Sequence, residues 1–201
     1  MPTRAAILLS GRGSNFLALH GAMERGEIPA EIAVVISNVA EAQGLEKARS
    51  LRLPTVCIPH KLEPTRWAHE EKVLAAIEHA KAEWICLAGY MRLLSSAFVD
   101  RHPQRILNIH PALLPAFPGV DAQQQAIDWG VKVSGCTVHM VDAELDHGPI
   151  VMQKAVAVHD DDNAISLSAR ILAEEHKIYP EALRRLLTDR WRLEGRRVVF
   201  S

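Results

Sequence analysis

Ala5-Ala6-Ile7-Leu8-Leu9-Ser10-Gly11-Arg12-Gly13-Ser14-Asn15 is the stretch that decides how this chain folds. Ala5–Leu9 is apolar at every position, as a strand buried on both faces requires. Two glycines then turn the chain, and Asn15–Arg25 reads as a helix. Glycines let backbone N–H groups approach a ligand closely, and a helix start adds partial positive charge, so the turn suits a phosphate. It is not the dinucleotide fingerprint: Phe16 stands where GxGxxG needs glycine, and Ser37-Asn38 replace the acid that would hold a ribose. It is not a Walker loop either, because the GKS/T ending is absent. A single phosphomonoester is the expected ligand. The plain alternative is a strand-to-helix turn capped by Ser14 or Asn15.

The same alternation continues outward. Ile32–Ile36, Thr55–Ile58, Trp84–Ala88 and Arg105–Ile109 read as strands. Between them Ala42–Leu51, Pro64–Lys81 (with an apolar stripe through Trp67, Val73, Leu74 and Ile77) and Ser96–Arg101 read as helices, the last ended before Pro103. Val133–Val141 and Ile150–Val158 are strand-like, separated by the acidic loop Asp142–Pro149. Asp160-Asp161-Asp162-Asn163 offers a cap for a long helix over Ala164–Leu187. Trp191–Leu193 and Arg197–Phe200, split by Glu194-Gly195, close the chain as a hairpin. The expected fold is α/β: a Rossmann-like, mostly parallel sheet with helices on both faces and partly antiparallel C-terminal strands. One domain is expected over residues 1–201, with a nucleotide-binding half of about residues 1–105 and a second half of about 106–201 that completes the site.

The chain has 201 residues, 48% hydrophobic and 23% charged, as expected for a globular protein with a full core. A formal net charge of −1 gives no global basic field that would argue for nucleic acid. Cys57, Cys86 and Cys136 form neither a CxxC pair nor an even disulfide set, so a reducing cytoplasm is expected. The apolar run near the N-terminus is too short for a signal-peptide core or a membrane span. Monomer and homodimer both remain open.

Leu107-Asn108-Ile109-His110-Pro111 places an amide and an imidazole two residues apart at the end of an apolar run. Alternation along a strand would point both the same way. Pro111, Pro115, Pro118 and Gly119 stiffen the following loop. Open α/β sheets bind ligands at such strand ends. An amide, an imidazole and a carboxylate from another loop, Asp146 ahead of Gly148-Pro149, suit acyl transfer: an oxyanion is stabilised and a proton is moved. Singly, each residue also fits a bland role as a cap, loop histidine or turn acid. No metal is implied, since the histidines show no HxxxH or HxH spacing.

These residues also carry a resemblance. Ser10–Asn15 (SGRGSN), Leu87–Leu94 (LAGYMRLL), Leu107–Pro115 (LNIHPALLP) and Thr137–Pro149 (TVHMVDAELDHGP), with Glu175-His176 and Ile178-Tyr179-Pro180, resemble the glycinamide ribonucleotide formyltransferase family over essentially the whole chain. The resemblance implies transfer of a formyl group from 10-formyltetrahydrofolate, as co-substrate, to the amine of glycinamide ribonucleotide in purine synthesis. It implies Asn108, His110 and Asp146 as the catalytic trio. Gly11, Arg12, Gly13, Ser14 and Asn15 would take the ribonucleotide phosphate and Glu175 its ribose. Arg66, Met91, Arg92, Leu93, Leu94, Val141, Asn108 and Asp146 would form the folate pocket. Asp146 would pair with the imidazole or order a water. Arg12 stands where the family often has Asn, so it adds charge to the turn or faces solvent. Asp121 stands where many members have His.

Related folate enzymes fit less well. A methionyl-tRNA formyltransferase should carry an added RNA-binding domain, a deformylase a regulatory domain before the first strand, and a sugar-nucleotide formyltransferase has no need of GRGSN. A non-catalytic nucleotide or folate sensor would not need the trio. A dehydrogenase would need the intact dinucleotide fingerprint.

Overall fold

A computed structural model describes all residues, Met1–Ser201. Contacts divide the chain into two compact units, Met1–Leu107 and Asn108–Ser201.

The first unit follows the alternation of its sequence. Strands β1 (Thr3–Leu9), β2 (Ala30–Ser37), β3 (Thr55–Cys57) and β4 (Trp84–Leu87) alternate with helices α1 (Ser14–Glu24), α2 (Gln43–Ser50) and α3 (Arg66–His79). The short helix α4 (Ser96–Val99) then leads to β5 (Ile106–His110), the strand on which the chain leaves this unit. Neighbouring strands run β3-β2-β1-β4-β5. The β1–β2, β1–β4 and β2–β3 pairs are parallel. β1 and β4 are buried from Ala5 and Trp84 onward, the burial on both faces that a run without polar alternation demands. The strand order turns back between β1 and β4, and at such a switch point a crevice opens beyond the strand ends.

Helix α3 is shorter than its sequence pattern and buries a different stripe. Thr65 accepts a hydrogen bond from Ala68 N at 3.0 Å and sets the start of the helix after Pro64. His69, Glu70, Val73 and Ile77 face inward, while Trp67 lies on the exposed side. Two polar residues therefore occupy inward positions that hydrophobicity alone would not assign.

In the second unit the rest of β5 is followed by α5 (Ala122–Trp129), β6 (Val133–Met140), β7 (Ile150–Ala157), α6 (Ala164–Thr188), β8 (Trp191–Glu194) and β9 (Arg197–Phe200). Here the strand order is β5-β6-β7-β9-β8. β6 and β7 are antiparallel with a register shift at Val138/His139, β7 and β9 are parallel, and β8 and β9 form the closing hairpin. The nine strands thus make a mixed, mostly parallel α/β fold whose antiparallel pairs lie toward the C-terminus. Helix α6 begins where the acidic run places it. The Asn163 side chain accepts from Ile165 N and Ser166 N, and the Ser166 hydroxyl accepts from Asn163 N in return. Helix α5 has no counterpart in the sequence reading. Its buried face is only Ala122 and Ala126, too little apolar surface to show as a stripe.

Candidate active site

Within the first unit, the glycine turn meets the segment that follows β4. Gly13 sits at φ 72, and a Cβ there would lie 2.7 Å from the Cα of Gly44. Gly44 N donates to Gly11 O at 2.9 Å, and Lys47 Nζ to Arg12 O at 3.0 Å, so α2 supports the turn from below. No side chain caps the start of α1, which suits an anion as the partner of its first amides. Arg12 itself is exposed. Ser10 ties the turn to the next strand end: its N–H donates to Gly89 O at 3.0 Å, and its hydroxyl accepts from Met91 N at 2.8 Å while donating to Asn38 Oδ1 at 2.5 Å.

The Met91–Leu94 stretch leaves apolar side chains open, Met91 70% and Leu93 50% exposed, while Leu94 is buried. Arg66 is anchored through Nε on Glu70 Oε1 at 3.0 Å. The same buried carboxylate accepts from Ser95 N at 2.9 Å and from the Ser95 hydroxyl. Glu70 therefore fixes both Arg66 and the far end of the Met91–Leu94 stretch. Glu70 does not stand out in the sequence, and Ser10 only as the first residue of the SGRGSN turn, since the role of each comes from distant partners.

The second unit assembles the trio. β5 delivers Asn108 half-buried and His110 4% exposed, and the β6–β7 loop returns Asp146 between them. Asp146 Oδ2 lies 3.4 Å from His110 Nδ1 and accepts from Gly119 N at 2.8 Å. Its Oδ1 lies 3.5 Å from Asn108 Nδ2. His110 Nε2 donates to Phe117 O at 2.8 Å. Both imidazole nitrogens thus face acceptors, Nε2 the Phe117 carbonyl and Nδ1, at 3.4 Å, the Asp146 carboxylate.

A fourth residue, His139 of β6, completes the cluster. Its Nδ1 is 2.9 Å from Met140 O, a carbonyl that can only accept, so Nδ1 carries the hydrogen and Nε2 the lone pair. Asn108 Nδ2, 3.1 Å from that Nε2, donates to it, which fixes which way the amide faces. Burial holds the His139 pKa below the ordinary 6.5, with the nearby His110 adding to that while Met140 O and Asp146 oppose it, and keeps Nε2 an acceptor. The signal in sequence was a lone imidazole in a strand otherwise buried from Ser134 to Met140.

The proline loop is clamped by another residue of β6. The Thr137 hydroxyl, fully buried, donates to Ala112 O at 2.7 Å and accepts from Leu114 N at 3.0 Å and Gln153 Nε2 at 2.9 Å. Val141 is half-buried at the start of the Asp146 loop. Glu175 is buried on α6, near enough to Cys136 to help burial push that thiol up to about 12.

A carboxylate touching both an imidazole and an amide, on strand ends of a mixed α/β fold, has a counterpart among known proteins. Residues 3–183 match the model of the formyl transferase family. The chain belongs to the formyl transferase family. Within it, the likeness runs to phosphoribosylglycinamide formyltransferases. It is 38% identical over 182 residues to the phosphoribosylglycinamide formyltransferase of Bacillus subtilis, covering 90% of this chain and 93% of that one. The crystal structure of glycinamide ribonucleotide transformylase 1 from Symbiobacterium toebii superposes with a TM-score of 0.96 at 46% identity, over 99% of this chain and 94% of that one. The human trifunctional purine biosynthetic protein adenosine-3 is 44% identical over 180 residues, 90% of this chain but 18% of its own length. The chain thus spans only 13–19% of the length of the trifunctional relatives it matches. The family expected from the motifs and the family found are the same, and the formyltransferase fold is the one described above.

Proposed function

We propose that this enzyme transfers the formyl group of 10-formyltetrahydrofolate to the amine of glycinamide ribonucleotide, a step of purine nucleotide synthesis in the cytoplasm. The observation that carries this reading is the Asp146 carboxylate set 3.4 Å from His110 Nδ1 and 3.5 Å from Asn108 Nδ2.

The amine attacks the formyl carbon, and the carbonyl oxygen takes up negative charge. Asn108 donates one amide N–H to His139, and the other is held only loosely by Asp146, so the latter is the donor offered to the oxyanion. A well-placed donor of this kind contributes about 3 kcal/mol to lowering the barrier. The adduct then breaks its bond to N10. The amine gives up a proton and N10 gains one. His110, beside Asp146, serves as the acid that supplies the N10 proton and takes up in return the proton the amine releases. The 3.4 Å approach favours direct pairing over a bridging water. The Gly11–Asn15 turn takes the phosphate, Glu175 the ribose hydroxyls, and the open apolar side chains of Met91–Leu94, with Arg66, Arg92 and Val141, the folate.

The test mixes the protein with glycinamide ribonucleotide and 10-formyltetrahydrofolate and follows folate absorbance, with the unphosphorylated glycinamide riboside in parallel. Turnover with strong preference for the phosphorylated acceptor is expected. Binding of both substrates without transfer by folded protein would instead make the chain a sensor.

A further inference from the structure

The loop that carries Asp146 is held at its base and at its tip, both within the second unit. At the base, Met140 N donates to Pro149 O at 2.8 Å, and a Cβ on Gly148 would lie 1.9 Å from Met140 O, so the two stems cross where only glycine fits. At the tip, the holding group comes from the C-terminal hairpin. β9 runs beside β7 with Arg197 opposite Ile150, which sets the hairpin turn next to the loop.

Arg196, in that turn, places Nη1 2.8 Å from His147 Nε2, and its Nη2 donates to the His147 carbonyl. The same Nη1 lies 3.2 Å from His147 Nδ1, so the guanidinium rests against the imidazole ring. Nδ1 lies 2.8 Å from Asp142 Oδ2, to which it donates, and Asp142 Oδ1 accepts from Glu144 N at 3.0 Å. One guanidinium thus packs on the ring and bonds the carbonyl of the residue that directly follows Asp146. Asp146 itself sits at φ 48, a conformation that a residue with a side chain keeps only where its surroundings impose it.

We propose that Arg196 is a positioning residue for the Asp146 carboxylate: the hairpin guanidinium, through His147, holds the loop so that Asp146 stays against Asn108 and His110. The match to the formyl transferase family model ends at residue 183, ahead of the hairpin that supplies this contact. Exposed charge pairs contribute little to global stability. The effect of Arg196 is therefore local, and that separates positioning from a general structural role. The kinetic part of the proposal rests on the formyl-transfer reading. The structural part does not.

The experiment compares wild type with Arg196→Ala, Arg196→Lys and, as a control on the same hairpin, Arg192→Ala, whose side chain bonds Glu194 within the hairpin. Hydrogen–deuterium exchange is measured over residues 141–149 in the absence of substrates. Steady-state kinetics are measured with both substrates. Arg196→Ala is expected to speed exchange in the loop about fivefold and lower kcat by a similar factor. KM for the ribonucleotide, exchange in α6 and the thermal midpoint should stay as in wild type. Arg196→Lys should recover part of both effects, and Arg192→Ala should match wild type. Unchanged loop exchange, unchanged kcat beside a loosened loop, or exchange rising throughout with a lowered midpoint would each overturn the proposal. If wild type itself shows no turnover while Arg196→Ala still loosens the loop, the formyl-transfer reading fails and the latch stands.

Discussion

His139 Nε2 accepts the Asn108 amide at 3.1 Å, so the orientation of the candidate oxyanion donor is set by a neighbour on the next strand. Replacing His139 with Leu keeps an apolar strand position but removes the acceptor. The amide is then free to turn, and its donor no longer points reliably at the developing charge. Turnover is expected to fall about tenfold with KM for the ribonucleotide unchanged, since the interaction matters in the transition state rather than in binding. Steady-state kinetics of the variant check this.

The same histidine makes the fold acid-sensitive. Its folded pKa lies below the ordinary 6.5 because of burial. Between the two values the unfolded chain binds the proton and the folded chain does not, so stability rises with pH across that window. The contribution is complete above 6.5 and is lost as pH falls below it. One such group changes stability by at most about 1.4 kcal/mol per pH unit. Burial shifts His69, His102 and His176 the same way. Urea unfolding between about pH 5 and 8 should show the decline on the acid side. His139→Asn should flatten part of it.

Gly13 combines a left-handed backbone with contact to the backbone of α2, whereas Gly11 has open space around its Cα. Gly13→Ala is expected to destabilise the protein by about 1–3 kcal/mol and to weaken ribonucleotide binding. Gly11→Ala should be tolerated. Denaturant midpoints and ribonucleotide titrations of the pair distinguish a shaped phosphate turn from an ordinary one.

Thr137→Val keeps the shape of a fully buried side chain but strips the clamp from the proline loop. Leu114 N and Ala112 O lose their partner, at a cost of about 1–3 kcal/mol. Chemical denaturation should show that loss. Turnover should fall as well, because Phe117 and Gly119 on this loop hold His110 and Asp146.

The alternation is readable because the inner strands β1 and β4 are buried on both faces from Ala5 and Trp84 onward and carry uninterrupted apolar runs there, while the short β3 is only half-buried. The start of α6 was readable because its cap is local, formed by Asn163 and Ser166 three residues apart. α5 was not, because two alanines make its whole buried face. The inward face of α3 was misread at Trp67, because its buried positions include His69 and Glu70, whose value lies in distant partners. The same distinction holds at the site. Asn108 and His110 share a strand end and could be paired by spacing alone. Asp146 came from the family resemblance. His139, Thr137 and Arg196 act through contacts that join segments far apart in the chain, which periodicity does not record.

The central claim is that the Asp146 carboxylate, through His110 and Asn108, drives formyl transfer to the ribonucleotide. Single-turnover transfer of a labelled formyl group with saturating substrates, in wild type and in Asp146→Asn, tests it most directly. The substitution preserves size and removes the charge. Transfer by wild type, with a rate about a hundredfold or more lower in Asp146→Asn and ribonucleotide affinity retained, is the predicted result. An Asp146→Asn enzyme that transfers the formyl group at the wild-type rate would contradict it.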